Sequence, residues 1–317
     1  MTGKKAVTAI VFAGVFWGIV GIFVKALSSS GLDVMQVVAL RMICAALSLF
    51  LVLLLFAPKK LKIDLRHLPL LLGIGFFGLE LSIYFYFYTA IQSQTSVAVV
   101  LLYTSPAFVL LLSVPVFHEK INMKKTAALL LTVSGCVLVA GLIGGSYTLS
   151  PRVLLFGVAS GFCYSLYTVF GKFALRYYDS VTVSFYAFLV AAIASLFFAD
   201  VPGAFSVIAA SPSLILPVLG MGIVSSVFPF LLYTYSLRFI DSGKAAILST
   251  VEPLVGAVVG IVAYGEPYDF PKILGILLIL SAVLLLNLHL HIHHSKKSVQ
   301  KETKKAVSSG SFETVPR

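Results

Sequence analysis

Residues 99–106 read VVLLYTSP and residues 246–253 read AILSTVEP, two apolar runs that each end on a proline, 147 positions apart. The same spacing carries Gly14 onto Gly161, Lys25 onto Lys172, Ser48-Leu49-Phe50 onto Ser195-Leu196-Phe197, Gly73 and Gly75 onto Gly220 and Gly222, Tyr86 and Tyr88 onto Tyr233 and Tyr235, and Glu119 onto Glu266. In so apolar a chain Leu matches Leu by chance, so the weight rests on Gly, Pro, Lys, Tyr and Glu. Residues 6–142 thus repeat without a gap, and each copy has room for five membrane spans. A repeat with an odd number of spans must sit upside down relative to its partner, which is the architecture of an alternating-access carrier.

The composition agrees. With 59% hydrophobic and 11% charged residues, the chain falls far below the roughly 25% charged content of soluble domains. Stretches of the ~20 residues that cross ~30 Å of hydrocarbon lie near 6–28, 33–56, 68–91, 95–117 and 124–143, then near 152–174, 180–199, 213–236, 243–264 and 271–290. The fold expected is an all-α membrane protein with ten transmembrane helices as two inverted five-helix repeats, 1–143 and 152–290, in one integrated membrane domain. With the N-terminus cytoplasmic, the inside connections hold Lys4 and Lys5; Lys59, Lys60, Lys62 and Arg66; Lys120, Lys124 and Lys125; Lys172 and Arg176; Arg238 and Lys244; and the Lys-rich tail, whereas the outside holds Lys25, Arg152 and Lys272. That asymmetry places both termini inside.

The net charge of +11 therefore reports topology and contact with anionic lipid at the cytoplasmic face, not nucleic acid. Cys44, Cys136 and Cys163 fall within spans and far apart in sequence, so they read as packing residues and not as a disulfide framework. No small-residue cleavage pattern follows the basic start, so the first helix is expected to be retained. From 295 to 317 the chain is polar and Lys/Ser-rich, the composition of a disordered tail. It ends in Val-Pro-Arg, which resembles the left part of a thrombin site, so 308–317 reads as a possible appended remnant.

Several of these residues together resemble the drug/metabolite transporter superfamily, specifically its ten-helix EamA-type branch. They are Trp17-Gly18 in helix 1, Lys25 closing it, Arg41 early in helix 2, Pro106 in helix 4, Glu252-Pro253 in helix 9, and Glu119 and Gly265-Glu266 at the 4–5 and 9–10 junctions. The likeness covers about residues 6–290 and implies a transporter of the bacterial plasma membrane, without cofactor. Two positions depart from the family's pattern: its Gly-Glu reads His118-Glu119, and the Thr that usually follows is Asn122 in one half and Asp269 in the other. Asn and Asp cap helices as Thr does.

Candidate transport residues follow from depth and pairing. A mid-helix proline frees the carbonyl four residues earlier, here Leu102 and Ser249, which in lipid must find a partner. Paired interruptions in two halves point to a carrier's midplane site, so Pro106 and Pro253 are candidate hinges. Glu80 lies mid-helix, where a carboxylate costs roughly 2.5–3.5 kcal/mol, and Tyr84, Phe87 and Tyr88 share its helical face. An acid backed by rings suits an amine or organic cation, and Glu80 is expected to bind the substrate's amino group or a coupling proton. Glu252 is the second deep acid, with Ser249 one turn away; its repeat mate is Ser105. Such chemical inequality between the halves suits a second proton-coupling candidate, although a structural role is an equal reading. Arg41 is expected to meet a carboxylate, either the substrate's or Glu80's. Trp17, Tyr103 and Tyr164 are candidate cavity aromatics.

Gly14-xxx-Gly18, Gly157-xxx-Gly161 and Gly256-xxx-Gly260 read as close helix contacts. Lys25 and Lys172 serve as gate partners or, more economically, snorkel to the interface. His289, His291, His293 and His294 need no metal at a helix end. An enzyme is not expected: position 122 is Asn where a zincin helix needs His, and no phosphate-binding loop is present. The leading reading is a secondary active exporter or exchanger of a small amphipathic, amino-acid-like metabolite. Import of choline or another quaternary cation is the alternative, and a non-transporting sensor or scaffold the alternative of another class. Substrate, direction, coupling ion and oligomeric state are not written in the sequence.

Overall fold

The computed structural model describes residues 3–93, 95–139, 150–265, 270–271 and 273–286. Among them the chain is helical, with no strand. Eight helices are long and apolar enough to cross a membrane: α1 (Gly3–Ser28), α2 (Val34–Phe56), α3 (Leu65–Gln92), α4 (Val97–Phe117), α6 (Pro151–Ala174), α7 (Ser180–Phe198), α8 (Pro212–Ser236) and α9 (Ser242–Tyr264). Between and after them stand α5 (Met123–Val139) and α10 (Ile273–Leu286), which are shorter within the described residues. A short apolar helix, Val201–Ala210, joins α7 to α8. The junction residues Glu266, Asp269 and Lys272, the histidine run and the tail lie outside the described residues.

Side chains start the helices where the sequence offers caps. Asp33, Ser150 and Asp179 accept backbone N–H bonds at the heads of α2, α6 and α7, and Asn122 accepts from the Lys125 N–H at the head of α5, as its residue type implied.

The helices pack across the repeat boundary. α1 lies along α8 and α9, and its repeat mate α6 lies along α3 and α4. α2 and α7 pack on one another, α2 also on α8 and α7 on α3. Each half thus surrounds a helix of the other. Without a hydrophobic drive between helices in lipid, such contacts depend on close van der Waals approach, and glycine provides it. A Cβ on Gly18 would stand 2.5 Å from Val255 Cβ and 2.8 Å from the Glu252 carbonyl. One on Gly73 would stand 2.8 Å from the Phe170 ring, and its mate Gly220 faces Phe23, the mate of Phe170.

One feature repeats that the sequence reading did not anticipate. α3 is π-helical over Gly73–Leu81 and α8 over Gly220–Val227, segments that begin at repeat-equivalent positions. A π turn holds an extra residue and rotates the face that follows it; such turns are frequent at functional sites.

Candidate functional site

α4 is interrupted at Tyr103–Thr104 and α9 at Ser249–Thr250, just ahead of Pro106 and Pro253. Hydroxyls bond carbonyls one turn back at the breaks: Thr104 Oγ1 donates to the Leu101 carbonyl (2.6 Å), Thr250 Oγ1 to that of Ile247 (2.6 Å) and Ser249 Oγ to that of Ala246 (2.8 Å), while the Ser249 carbonyl freed by Pro253 accepts the Glu252 N–H (3.1 Å). Each break is pressed by a glycine from the opposite half. A Cβ on Gly161 would stand 2.8 and 3.0 Å from the Leu101 and Leu102 carbonyls, and one on its mate Gly14 would stand 3.2 Å from the Ser249 carbonyl.

Glu252 lies at the α9 break, and three of the side chains named from sequence converge around it. The Tyr103 hydroxyl stands beside its carboxylate, and Arg41 and Tyr164 stand within electrostatic reach. Trp17 is buried on α1, edge-on to Phe230 (5.0 Å between centroids) and 5.6 Å from Tyr233. Its indole N–H has no hydrogen-bond partner among the described residues. Tyr86 also reaches Glu252 electrostatically; sequence reasoning used it only as a repeat marker. Arg41, Tyr86, Tyr164 and Glu252 lie deep in the molecule yet keep part of their surface open, so they line an internal space.

Arg41 corrects one expectation. It does not meet Glu80: its Nε donates to Ser226 Oγ (2.6 Å) and its Nη2 to the Ser225 carbonyl (3.1 Å), both in the π segment of α8. That segment supplies the acceptors that hold the guanidinium within electrostatic reach of Glu252. A guanidinium has five N–H donors in a fixed fork, so most of its donors are not taken by these two bonds.

Glu80 stands apart from the cluster. It is 2% exposed and accepts a hydrogen bond from Ser195 Oγ of α7 (3.0 Å). Ser195 Oγ also lies 2.9 Å from the Ala191 carbonyl. One hydroxyl proton cannot serve both acceptors fully, and both contacts are satisfied when the carboxyl brings a proton of its own. Tyr84 does share the Glu80 face, as expected, but that face meets α7: Tyr84 packs on Phe198 (5.2 Å). Tyr88 packs on Phe156 of α6 (4.4 Å). Neither Tyr84 nor Tyr88 joins Arg41 and Glu252. Tyr86, two residues past Tyr84 and on the other side of the helix, does.

A second polar cluster closes one end of the bundle. Glu119 Oε1 accepts from Lys172 Nζ (2.8 Å) and from the Ser242 backbone N–H (2.8 Å), and Oε2 accepts from the Gly243 N–H (3.4 Å). Lys125 Nζ lies 2.9 Å from Asp241 and 3.8 Å from Glu119, with Glu119 and Lys125 side chains each 7% exposed. Lys172 is therefore an ion-pair partner and not simply a snorkelling end. At the equivalent helix end Lys25 Nζ sits 3.6 Å over the Tyr264 ring, as Lys172 sits 5.1 Å from Phe117, the mate of Tyr264. Cys44, Cys136 and Cys163 are buried and unbridged, and no three His, Cys, Asp or Glu among the described residues gather as a metal site.

Paired broken helices, glycine-tight crossings between two copies of one motif, and charged side chains around an internal space define a multi-pass membrane transporter. The chain belongs to the EamA-like transporter family, whose model matches it twice, over residues 4–141 and 151–288. It is 28% identical over 282 residues to a protein of Archaeoglobus fulgidus named "Uncharacterized transporter", covering 87% of this chain and 94% of that one. It is 26% identical over 293 residues to the "Uncharacterized inner membrane transporter YicL" of Salmonella typhimurium, covering 90% and 96%. A solved crystal structure shares the fold, with a TM-score of 0.73 over 90% of this chain and 97% of that chain at 19% identity. This is accordingly a multi-pass protein of the plasma membrane.

Proposed function

We propose that this transporter is a secondary carrier that moves a small amphipathic, amino-acid-like metabolite outward or in exchange by alternating access. It does so with ten membrane-crossing helices in two inverted repeats, both termini cytoplasmic. The observation that carries the reading is the placement of Arg41 within electrostatic reach of Glu252 at the break of α9, with Tyr103, Tyr86 and Tyr164 around the carboxylate. The unused guanidinium donors suit a carboxylate, Glu252 suits an ammonium or a coupling proton, and Trp17, Tyr86 and Tyr164 suit an apolar side chain. Because the pair is balanced in charge, a zwitterion fits it better than a lone cation. The ring face of Glu80, which would have favoured a quaternary amine, is occupied by α7.

Counterflow in proteoliposomes with a panel of amino acids, amines and quaternary cations tests this. Glu252→Gln and Arg41→Lys should each lower uptake of the active substrate by about tenfold or more, the second because Lys lacks the planar fork. Glu80→Gln should retain most of the activity, since an amide can still donate to Ser195. Uptake confined to quaternary cations, or a Glu80→Gln variant as inactive as Glu252→Gln, would overturn the assignment. A protein that binds a panel member but moves none would be a sensor.

A further inference from the structure

The links nearest the route between Glu252 and the Glu119 end are polar, and they run between two packing groups. One group is α6 with α3 and α4; the other is α1 with α8 and α9. Tyr167 of α6 bonds Thr234 of α8, and Thr168 of α6 bonds Tyr233 of α8, both at 2.8 Å and both buried. Beyond them Glu119, at the end of α4, accepts from the first backbone N–H groups of α9, and Lys125, at the head of α5, pairs with Asp241 just before α9. Tyr233 is within electrostatic reach of both Glu119 and Tyr164, and Tyr164 of Glu252. These groups therefore form one column from the broken helices to the bundle end. Within each group the contacts near the route are glycine-tight and apolar, as at Gly18 on Val255 and Gly157 on Leu101, and one such contact, Gly243 of α9 on Leu110 of α4, also joins the two groups beside Glu119. Apolar contacts have no replacement in water, whereas hydroxyl and carboxylate bonds exchange for water bonds at modest net cost. A motion that admits water along this column would break the second kind and part Gly243 from Leu110, and it would keep the apolar contacts within each group.

Resting on the carrier reading above, we propose that the two crossed Tyr–Thr pairs and the Glu119 latch are a two-layer seal. The seal holds this conformation closed on the face that carries Glu119, and its release opens the Glu252 site to that face. Lys172 acts mainly within its own group, where α6 and α4 are already packed. It orients the Glu119 carboxylate toward α9 and adds a longer bond of its own to the Ile240 carbonyl between α8 and α9 (3.4 Å).

The experiment uses the full chain with Cys44, Cys136 and Cys163 replaced by Ser and a single probe, Ser249→Cys, in membrane vesicles of defined sidedness. A membrane-impermeant charged maleimide is applied from the Glu119 face. Glu119→Gln should raise the labelling rate about fivefold or more, reflecting a larger open population. The exchange Glu119→Lys with Lys172→Glu restores the α4–α6 ion pair but cannot accept the Ser242 and Gly243 N–H bonds, so labelling should stay raised. Tyr233→Phe, which removes one inner bond without leaving a buried charge, should raise labelling by itself and carries the test if Glu119 variants do not elute as a single folded species. Parental labelling rates in folded Glu119→Gln or Tyr233→Phe protein, or restoration of the parental rate by the charge exchange, would overturn the seal. Raised labelling in a protein that moves no panel substrate would instead overturn the carrier reading and leave the seal standing.

Discussion

His118 adopts a left-handed backbone, φ 54°, at the end of α4, and its repeat mate Gly265 does the same at the end of α9 with φ 63°. The departure from the family's Gly-Glu is thus a change of residue and not of conformation. It turns the chain so that Glu119 reaches Lys172 and α9. An L residue in this region costs about 1–2 kcal/mol, offset by the ~0.5–1 kcal/mol that glycine loses in backbone freedom. His118→Gly should therefore stabilise the protein by up to about 1 kcal/mol, and His118→Val should destabilise it. Thermal unfolding in detergent checks both; a Val variant as stable as the parent would show that the turn carries no strain. Asn122 was legible as a cap because capping needs only a short polar side chain next to the helix head. The partner of Arg41 was not legible, because it is partly a backbone carbonyl, which every residue supplies.

At the scale of elements, the proline breaks and the glycine crossings could be read from sequence, since both follow from what a residue lacks: an N–H or a Cβ. The π turns could not, because no side chain encodes an extra residue in a turn. Counting faces at 3.6 residues per turn correctly grouped Glu80 with Tyr84, yet it could not say which neighbour that face would meet. It meets α7, and Tyr86 takes the place in the site expected of Tyr84 and Tyr88. The crossings yield a paired expectation. Gly18→Ala would set a Cβ into Val255 and the Glu252 carbonyl and should cost about 1–3 kcal/mol. Gly21→Ala, one turn on, meets nothing within 4 Å and should stabilise α1 by about 0.5–1 kcal/mol. Equal effects of the two on the unfolding midpoint would remove the close crossing of α1 and α9 as an explanation of the Gly14-xxx-Gly18 pattern.

For the molecule as a whole, the duplication was legible from one constant offset, and the family match over both copies agrees with it. How the copies interlock was not, because a repeat gives each helix a counterpart but no neighbour. The orientation proposed from basic residues makes a reporter near Ser150 accessible only from outside and one near Leu61 only from inside; labelling of both from the same side would refute it. The interlock has a consequence for biogenesis. α1 leaves the ribosome well before α8 and α9, the helices it lies along. Insertion into lipid precedes helix association, so α1 crosses the bilayer long before its partners are synthesised. Until they arrive its glycine face, Gly14 and Gly18, must rest against lipid chains or a bystander helix. The nascent first repeat is in this sense a host waiting for a guest.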